Sequence, residues 1–392
     1  MTQPSKDDAE VAIVGLGAIG SMALWRLAER GVRVHGYERF GVGHDRGASA
    51  GQTRRFSAQS QRVHQCTPLA LDALGLWREL EHTTGRGLLE ITGGLILGPN
   101  DSDALILAHQ SAMAAGLEHE LLDSTELARR YPPTPGTADR RRDHRSLRGV
   151  SSDPNSVSSP PWTAHGLSGA TVSDYTRVLG VEPDGAGVTV RTAEGVRRYS
   201  RVVVAPGPWA RDLLPAAAAT VLPRRLVQAW YLTRDVDAYR SSRFPVFERV
   251  GDIRAYGFPT IDGATVKVGI YTSGHPIVYD TENPALTVGH SIVRYFRDVV
   301  EEYFPGLHPD PITTTVNMEG YTTDGQPMVG AVPGTEQIVV ACGFSGAGFK
   351  FAPVMGDVVA DQIIEGSTDR DVEFLAPGRN LQEWAPETRT PA

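Results

Sequence analysis

The segment Val11-Ala-Ile-Val-Gly-Leu-Gly-Ala-Ile-Gly20 decides the fold of this chain. Its first four residues are apolar, which is typical of a short buried strand, and they run directly into a glycine turn. From Ile19 to Arg30 apolar residues recur at helical spacing, and Gly31 stands where a helix would stop. A second apolar run, from Val32 to Tyr37, indicates another strand. The sequence therefore predicts a βαβ unit.

The glycines of this turn have the spacing of a dinucleotide-binding loop. In such a loop Gly15 permits the tight turn, Gly17 lets the backbone approach a pyrophosphate, and Gly20 lets helix and strand pack closely. Glu38 follows 18 residues after Gly20, at the end of the second strand, where a carboxylate accepts hydrogen bonds from a ribose. A structural glycine turn is the alternative. The position between a strand and a helix favours an adenine dinucleotide.

Two loops point to a flavin rather than a nicotinamide. Residues 41–53 form a long stretch rich in small and polar residues, including Ser49 and Thr53, where a nicotinamide-binding fold would soon have a helix and a third strand. Such a loop suits a longer, extended cofactor. Residues 343–348 form a second glycine-rich loop before a helix predicted from Pro353 to Ile364. The partial positive charge of a helix N-terminus there would favour an electron-rich group such as a reduced flavin ring.

Length, composition and charge limit the possible functions. The chain has 392 residues, 41% of them hydrophobic and 21% charged, as in a globular protein with at least two cores. A net charge of −8 supplies no basic field for a polyanion, which argues against a nucleic-acid partner. Two distant cysteines indicate neither disulfides nor a thiolate metal site, and no metal is expected. A polar N-terminus and the absence of long apolar runs predict a cytoplasmic protein that does not span a membrane.

One stretch differs from the rest in composition. Between Thr137 and Ser159 the large aliphatic residues are only Leu147, Val150 and Val157, among five arginines and six serines. Such a stretch is not expected to form a conventional core element. A solvated surface loop is the plainer interpretation, and a lid near an active site is the alternative.

A predicted hairpin turn at Asp262-Gly263 places polar and aromatic side chains on one face of a sheet. With these two residues as the loop, the predicted pairs are Phe258 with Lys267, Tyr256 with Gly269 and Arg254 with Tyr271. The opposite face is apolar and carries Val266, Val268 and Ile270. A polar face of this kind lines a site or is simply solvated, and the pattern alone leaves both interpretations open.

Taken together, these motifs resemble a known family over nearly the whole chain. The resemblance is carried by the Gly15–Gly20 fingerprint with Glu38 and by residues 47–54, 256–259, 322–330 and 343–350. Their order and spacing are similar to the monomeric sarcosine oxidase and N-methyltryptophan oxidase group of the D-amino-acid-oxidase-like flavoenzymes. The resemblance implies FAD and a fold of class α/β plus α+β. The implied fold has a Rossmann-like FAD-binding domain and a second domain, the substrate domain, built on an antiparallel sheet.

The resemblance also implies that the FAD-binding domain is assembled from separated segments. We predict residues 1–86, 166–221 and 325–392 for this domain and residues 87–136 and 222–324 for the substrate domain. Residues 137–165 are predicted to be an irregular segment rich in arginine, serine and proline.

Individual roles follow from the resemblance as well. Lys267 falls on the family's oxygen-activating lysine, Tyr256 on an active-site tyrosine and Arg54 on an arginine close to the flavin. Lys350 falls on a carboxylate-binding lysine, and Tyr271 completes the predicted catalytic set. The predicted cofactor-binding residues are Gly15, Gly17, Gly20, Glu38, Ser49, Thr53, Gly207, Gly346, Gly348, Phe349 and Lys350.

The chain departs from the family's pattern at several positions. Asn317 stands where typical members have the cysteine that links FAD, so FAD is expected to be non-covalent. Ser57 stands where a second carboxylate-binding arginine is usual. The other departures are Ala347 and Tyr271 in place of histidines, and Phe247 in place of a methionine.

The predicted function is that of a flavin-dependent amine oxidase of the sarcosine-oxidase type. Hydride would pass from the carbon beside an amine nitrogen to the flavin, dioxygen would become hydrogen peroxide, and the imine would hydrolyse. The alternatives are an amine dehydrogenase with another electron acceptor and a catalytically impaired FAD-binding protein of the same fold. A small-molecule amine and dioxygen are the expected partners of a monomeric protein.

Overall fold

The computed structural model describes residues 9–57, 65–114, 116, 118–131, 147–152, 155–158, 170–271 and 275–379. Its helices are α1 (Ala18–Glu29), α2 (Cys66–Thr84), α3 (Asp103–Ala114), α4 (Ser124–Arg130), α5 (Ala210–Leu213), α6 (His290–Tyr303) and α7 (Gly348–Ile364). Its strands are β1 (Val11–Val14), β2 (Val34–Tyr37), β3 (Arg54–Ser57), β4 (Leu89–Ile91), β5 (Gly94–Pro99), β6 (His119–Leu122), β7 (Leu147–Ser152), β8 (Asn155–Ser158), β9 (Ala170–Ser173), β10 (Val178–Asp184), β11 (Gly187–Thr192), β12 (Gly195–Tyr199), β13 (Arg201–Val204), β14 (Leu222–Leu232), β15 (Val246–Arg249), β16 (Ala255–Gly257), β17 (Thr265–Ile270), β18 (Thr313–Tyr321), β19 (Met328–Val332) and β20 (Thr335–Cys342).

The first large sheet has the strand order β19-β20-β13-β1-β2-β9. β1 is parallel to both β2 and β13, and only β19 runs antiparallel to its neighbour. The four residues of β1 are all buried, as expected for a central parallel strand whose two faces are covered. α1, α2 and α7 cover one face, and the small sheet β10-β11-β12 covers the other. The predicted βαβ unit is confirmed as β1, α1 and β2.

The helix after the second glycine loop begins earlier than predicted. α7 begins at Gly348 rather than at Pro353, which lies inside the helix and is buried. Pro353 is the sixth residue of α7, where it lacks one i→i−4 hydrogen bond and its ring crowds the Phe349 carbonyl, so it does not mark the start of the helix. As a result, the N-terminus of α7 follows the Gly343–Gly348 loop directly.

The second large sheet has the order β18-β14-β17-β16-β15-β5-β7-β6 and is antiparallel except between β15 and β5. Its apolar face packs against α6 around Phe296, Val300 and Phe304. The two sheets represent the predicted α/β and α+β parts, so the predicted fold class is confirmed.

The hairpin of β16 and β17 has the predicted register. Tyr256 pairs with Gly269, and the Tyr271 N–H donates to the Arg254 carbonyl oxygen at 2.8 Å. The predicted two-residue turn is wrong, because β16 ends at Gly257 and β17 begins at Thr265. The Asp262 carboxylate closes this longer connection by accepting the N–H groups of residues 264 and 265, at 2.9 and 2.7 Å.

Part of the stretch predicted to be irregular forms strands. β7 pairs with β5 and β6, and β8 pairs with β3 and β4. The prediction of an irregular segment over 137–165 is wrong for these residues, because a ladder is made by backbone groups and does not require apolar side chains. The remainder of that segment, and with it the question of a loop or a lid, lies outside the described residues.

The two large sheets take their strands from different parts of the chain. The first uses residues 11–37, 170–204 and 328–342, and the second uses residues 94–122, 147–152 and 222–321. We keep the two-domain division as a proposal that agrees with this separation. Within the described ranges, no helix combines the length and the apolar character needed to cross a bilayer. The same ranges hold no cluster of potential metal-ligating side chains.

Candidate active site

A cavity of about 430 Å³ lies where the two large sheets meet, and this volume is typical of small-molecule sites. It is lined by the predicted catalytic residues Arg54, Tyr256, Lys267, Tyr271 and Lys350. It is also lined by all but one of the predicted cofactor-binding residues, namely Gly15, Gly17, Glu38, Ser49, Thr53, Gly207, Gly346, Gly348, Phe349 and Lys350. Residues about 300 positions apart in the sequence therefore share one cavity.

The exception is Gly20, which does not line the cavity. A Cβ at Gly20 would lie 1.9 Å from the Gly15 carbonyl oxygen, and one at Gly15 would lie 2.5 Å from the Ala205 oxygen. Gly20 therefore lets α1 approach the loop but does not itself line the site. A Cβ at Gly17 would meet only the Ser49 hydroxyl at 3.5 Å, so Gly17 keeps the wall of the cavity open.

Glu38 lies at the other end of the glycine loop, with 4% of its surface exposed. Its carboxylate accepts the N–H groups of Leu16 and Phe40 at 2.8 and 3.0 Å. Burial alone would raise the Glu38 pKa, but hydrogen bonds from His44 and these two N–H groups outweigh it and lower the pKa. The cavity thus has an ionised carboxylate at the position predicted to hold a ribose.

These features fit a bound adenine dinucleotide with a flavin ring. Gly17 leaves space for a pyrophosphate at the start of α1, where the Ala18 N–H donates to the Ser49 hydroxyl at 2.9 Å. The N-terminus of α7 reaches the cavity through Gly346 and Gly348, and no side chain caps it within the described ranges. Two helix N-termini therefore supply partial positive charge to the same cavity.

Lys267 is a buried lysine in the cavity wall, with 3% of its surface exposed. Its ammonium group donates to the carbonyl oxygens of Gly51 and Thr53 at 2.7 and 3.0 Å. It also lies 5.4 and 5.1 Å from the ring centres of Trp230 and Phe258. Burial and the neighbouring Arg54 lower the Lys267 pKa well below its usual value, and Glu319 opposes this shift.

Arg54 is held by the same loop as Lys267. Its guanidinium donates to the carbonyl oxygens of Ala48 and Thr53 at 2.6 and 2.8 Å. The Thr53 carbonyl thus accepts from both cations. Burial lowers the Arg54 pKa, and Glu319 and Tyr256 oppose the shift. The small and polar loop before β3 therefore positions two cations by turning its carbonyl groups toward them.

An aromatic wall stands beside these cations. The ring centres of Tyr256 and Tyr271 are 5.5 Å apart, and burial raises the Tyr256 pKa so that its phenol is neutral. The Lys350 ammonium donates to the Ser57 carbonyl oxygen at 3.2 Å on another side of the cavity. The site combines fixed cations, a neutral phenol and apolar rings.

The family follows from a comparison with known proteins. The family model described as FAD dependent oxidoreductase matches residues 10–362. The chain belongs to this family. It is a FAD-dependent oxidoreductase acting on CH–NH bonds, and its cofactor is FAD.

Three relatives are similar over nearly their full length. Monomeric sarcosine oxidase of Streptomyces avermitilis is 32% identical over 376 residues, which cover 94% of this chain and 97% of that protein. N-methyl-L-tryptophan oxidase of Yersinia pestis is 28% identical over 373 residues, with 90% and 94% covered. The solved structure of NikD, an unusual amino acid oxidase, is 25% identical with a TM-score of 0.82, with 96% and 99% covered.

Two of the sequence departures of this FAD oxidoreductase lie outside its cavity wall. Asn317 is 2% exposed, and its amide donates to the Asp45 carbonyl oxygen at 2.9 Å, tying β18 to the loop before β3. Phe247 packs in the core against Phe244 and Phe304, because on β15 it alternates with Glu248, which faces the cavity.

The sequence interpretation missed several polar residues in the cavity. Gln228, Glu248, Glu319 and Arg55 all line it, and so does Arg254, which the strand pairing had placed only on the polar face with Tyr271. Glu319 could have been found, because on β18 it shares a face with Asn317 and precedes the recognised 322–330 segment. The lysine content was a further signal: the chain has only three lysines, and two of them line this cavity.

Proposed function

We propose that this oxidoreductase is an amine oxidase that takes hydride from the carbon beside an amine nitrogen and delivers the electrons to dioxygen. The observation that carries this proposal is the Lys267 ammonium group, held beside Arg54 in the wall of the cavity that fits FAD. Such a preorganised cation stabilises the negative charge that oxygen gains on reduction. An amine dehydrogenase and a catalytically impaired protein are the alternatives.

The protein's contribution is positioning and electrostatics. FAD, when bound, supplies the hydride acceptor. Gly17 and Glu38 hold the dinucleotide end, and the N-terminus of α7 lies at the other glycine loop. Tyr256 presents a neutral phenol to the substrate, and Lys350 provides a cation for a carboxylate. The rings of Tyr256 and Tyr271 exclude water from the reacting carbon.

The test is to mix the purified holoenzyme with amines in the absence of oxygen and then admit air. An oxidase loses its yellow colour with a substrate and regains it in air within the turnover time, with one peroxide formed per amine. Recolouring only with an artificial acceptor would support the dehydrogenase instead. No loss of colour across secondary and primary amines would support the impaired protein.

The FAD of this enzyme is expected to be non-covalent. Asn317 has no thiol, and neither Cys66 nor Cys342 falls at the linking position on β18. Acid precipitation should leave the yellow colour in the supernatant, measured at the flavin absorbance maximum. Colour that stays with the precipitate would show that another side chain makes the link.

Sarcosine is expected to be a poor substrate. With Ser57 in place of an arginine, a small carboxylate loses a bidentate charged contact worth about 1.5–3 kcal/mol, or roughly 10–100-fold in kcat/KM. Ala347 lines the cavity and leaves room for a larger amine beside Tyr256. Phe247 does not line this space, since its ring lies in the core. Ser57→Arg should improve kcat/KM for sarcosine by this factor, while unaltered enzyme that oxidises sarcosine as fast as bulky amines would contradict the prediction.

We also propose that the protein is a cytoplasmic monomer. Support comes from its two reduced, buried cysteines and from its similarity to a relative named as monomeric. Sedimentation of the holoenzyme at micromolar concentration should give one species of 42.3 kDa. A species of twice this mass would contradict the monomer.

A further inference from the structure

We propose that Arg254 and Arg55 form an anion-binding site in the cavity, which takes a carboxylate of the amine substrate that is remote from the reacting carbon. The inference rests on the proposed amine oxidation, and it names the substrate class: amines that carry a side-chain carboxylate. Neither arginine belongs to the set of residues that the family resemblance picks out.

The site is built on one buried carboxylate shared by two arginines. Glu248 on β15 is 4% exposed, and Arg55 on β3 donates to one of its oxygens. Arg254, just before β16, donates to the other oxygen through Nη2 at 2.9 Å. Burial alone would raise the Glu248 pKa, but the two arginines lower it, so the carboxylate is ionised. The three side chains together carry one net positive charge.

The arginines keep donors for a ligand. A guanidinium has five N–H groups, and Arg254 uses Nε and Nη2 on Glu248 while its Nη1 meets no hydrogen-bond acceptor among the described residues. The Arg254 side chain is 41% exposed and lines the cavity, as does Arg55. A planar guanidinium fixed on one edge is well suited to bind a carboxylate with another.

A purely structural role does not explain why two arginines, Arg55 and Arg254, contact the one carboxylate of Glu248. One arginine is enough to neutralise Glu248, and a second brings like-charge repulsion into a partly buried place. Both nevertheless open onto the same cavity. The arrangement is stabilised if an anion completes it, as a substrate carboxylate would.

The position of Arg254 sets the distance of this carboxylate from the reacting carbon. The Arg254 guanidinium lies over the Tyr271 ring at 4.7 Å, and Tyr271 lies 5.5 Å from Tyr256. The site is therefore separated by an aromatic pair from the region of Lys267 and Arg54. A side-chain carboxylate extends farther from the amine carbon than an α-carboxylate does, so it is the group that a site beyond this aromatic pair would take.

The serine at position 57, where the family resemblance leads one to expect an arginine, fits the same interpretation. Arg55 and Ser57 are two residues apart on β3, so their side chains share a face, and both line the cavity. On the face that residues 55 and 57 share, the positive charge therefore stands at Arg55, beside Glu248. A cavity with this shifted charge favours longer, acidic substrates over sarcosine.

The first experiment measures the binding of a non-reacting probe to the holoenzyme by titration calorimetry. The probes are glutarate, with two carboxylates, and its monoamide, with one. We expect Arg254→Leu to weaken glutarate at least about tenfold, which corresponds to about 1.4 kcal/mol, and to leave the monoamide nearly unchanged. Glu248 keeps Arg55 as a partner in this variant, so the buried charge is not left unpaired. Arg297→Leu is the matched control, since Arg297 pairs with Asp310 on the surface.

The second experiment uses turnover of N-methyl glutamate and N-methyl glutamine, which differ only in the charge of the side chain. The acid-to-amide ratio of KM values should change about tenfold in Arg254→Leu and by less in Arg254→Lys. Equal binding of glutarate by Arg254→Leu and the unaltered enzyme would overturn the inference. Equal weakening of both probes would also overturn it, because it would show loss of packing rather than of charge.

The two levels of the proposal fail separately. If glutarate binding depends on Arg254 but no amine removes the flavin colour, the anion site stands and the proposed amine oxidation is wrong. If amines are oxidised but Arg254→Leu has the same acid-to-amide ratio of KM values as the unaltered enzyme, only the proposed anion site is wrong.

Discussion

Replacing Lys267 by methionine is expected to slow the reoxidation of the reduced enzyme by air about 10²–10³-fold. The Lys267 amino group is held in position by two carbonyl oxygens and two aromatic rings before any oxygen arrives. Its charge therefore needs no reorganisation when oxygen takes up the first electron. Loss of a preorganised charge of this kind removes several kcal/mol of stabilisation from the step.

Methionine is the informative replacement because it fills the same space between Trp230 and Phe258 without a charge. Reoxidation is followed by stopped-flow absorbance after anaerobic reduction, and reduction by the amine is followed separately. Lys350→Met provides the matched comparison, since it removes the same residue type from another wall of the cavity. We expect it to raise KM for carboxylate-bearing amines and to change reoxidation far less. Air oxidation at the unaltered rate in Lys267→Met would refute the assigned role.

The depressed pKa of Lys267 gives the same role a pH dependence. Burial and Arg54 lower this pKa well below 10.5, so rising pH removes the ammonium charge in the folded enzyme before it would in the unfolded chain. Reoxidation should slow as pH rises through the lowered pKa. Between that pKa and the unfolded value the unfolded chain binds more protons, so this residue makes stability increase with pH there. Both trends should disappear in Lys267→Met.

The parts of the molecule that could be predicted are those governed by local chemistry. The Gly15–Gly20 turn and the β16–β17 register follow from glycine spacing and from the two-residue period of strands. The true turn was longer than two residues because the Asp262 carboxylate, rather than a tight type I′ turn, closes it. Nothing in the residue pattern alone distinguishes these two closures.

The parts that could not be predicted depend on distant pairing. β7 and β8 come from a serine- and arginine-rich stretch, and their partners are set by backbone edges elsewhere in the sheet. The contact of Arg55 with Glu248 joins residues 193 positions apart through the approach of β3 and β15. Strand alternation could predict that Glu248 faces away from Phe247, but not which charged partner it meets.

Exchanging the glycines of the first turn for alanine is expected to separate cofactor binding from folding. Gly17 has an ordinary φ of −65°, and its added Cβ would make only a 3.5 Å contact with Ser49. Gly17→Ala should therefore keep the melting temperature of the FAD-free protein. The new methyl group would stand where the pyrophosphate approaches the backbone, so FAD affinity should fall at least about tenfold, or about 1.4 kcal/mol.

Gly20→Ala is expected to act in the opposite way. Its Cβ would lie 1.9 Å from the Gly15 carbonyl oxygen, so α1 must move away from the loop at a cost of at least about 1–3 kcal/mol. Thermal unfolding by circular dichroism measures this cost, and flavin fluorescence titration measures FAD binding in both variants. Gly17→Ala that binds FAD at the unaltered affinity would show that the pyrophosphate does not approach this glycine. Gly20→Ala that melts like the unaltered protein would show that the close contact between Gly20 and Gly15 does not hold α1 in place.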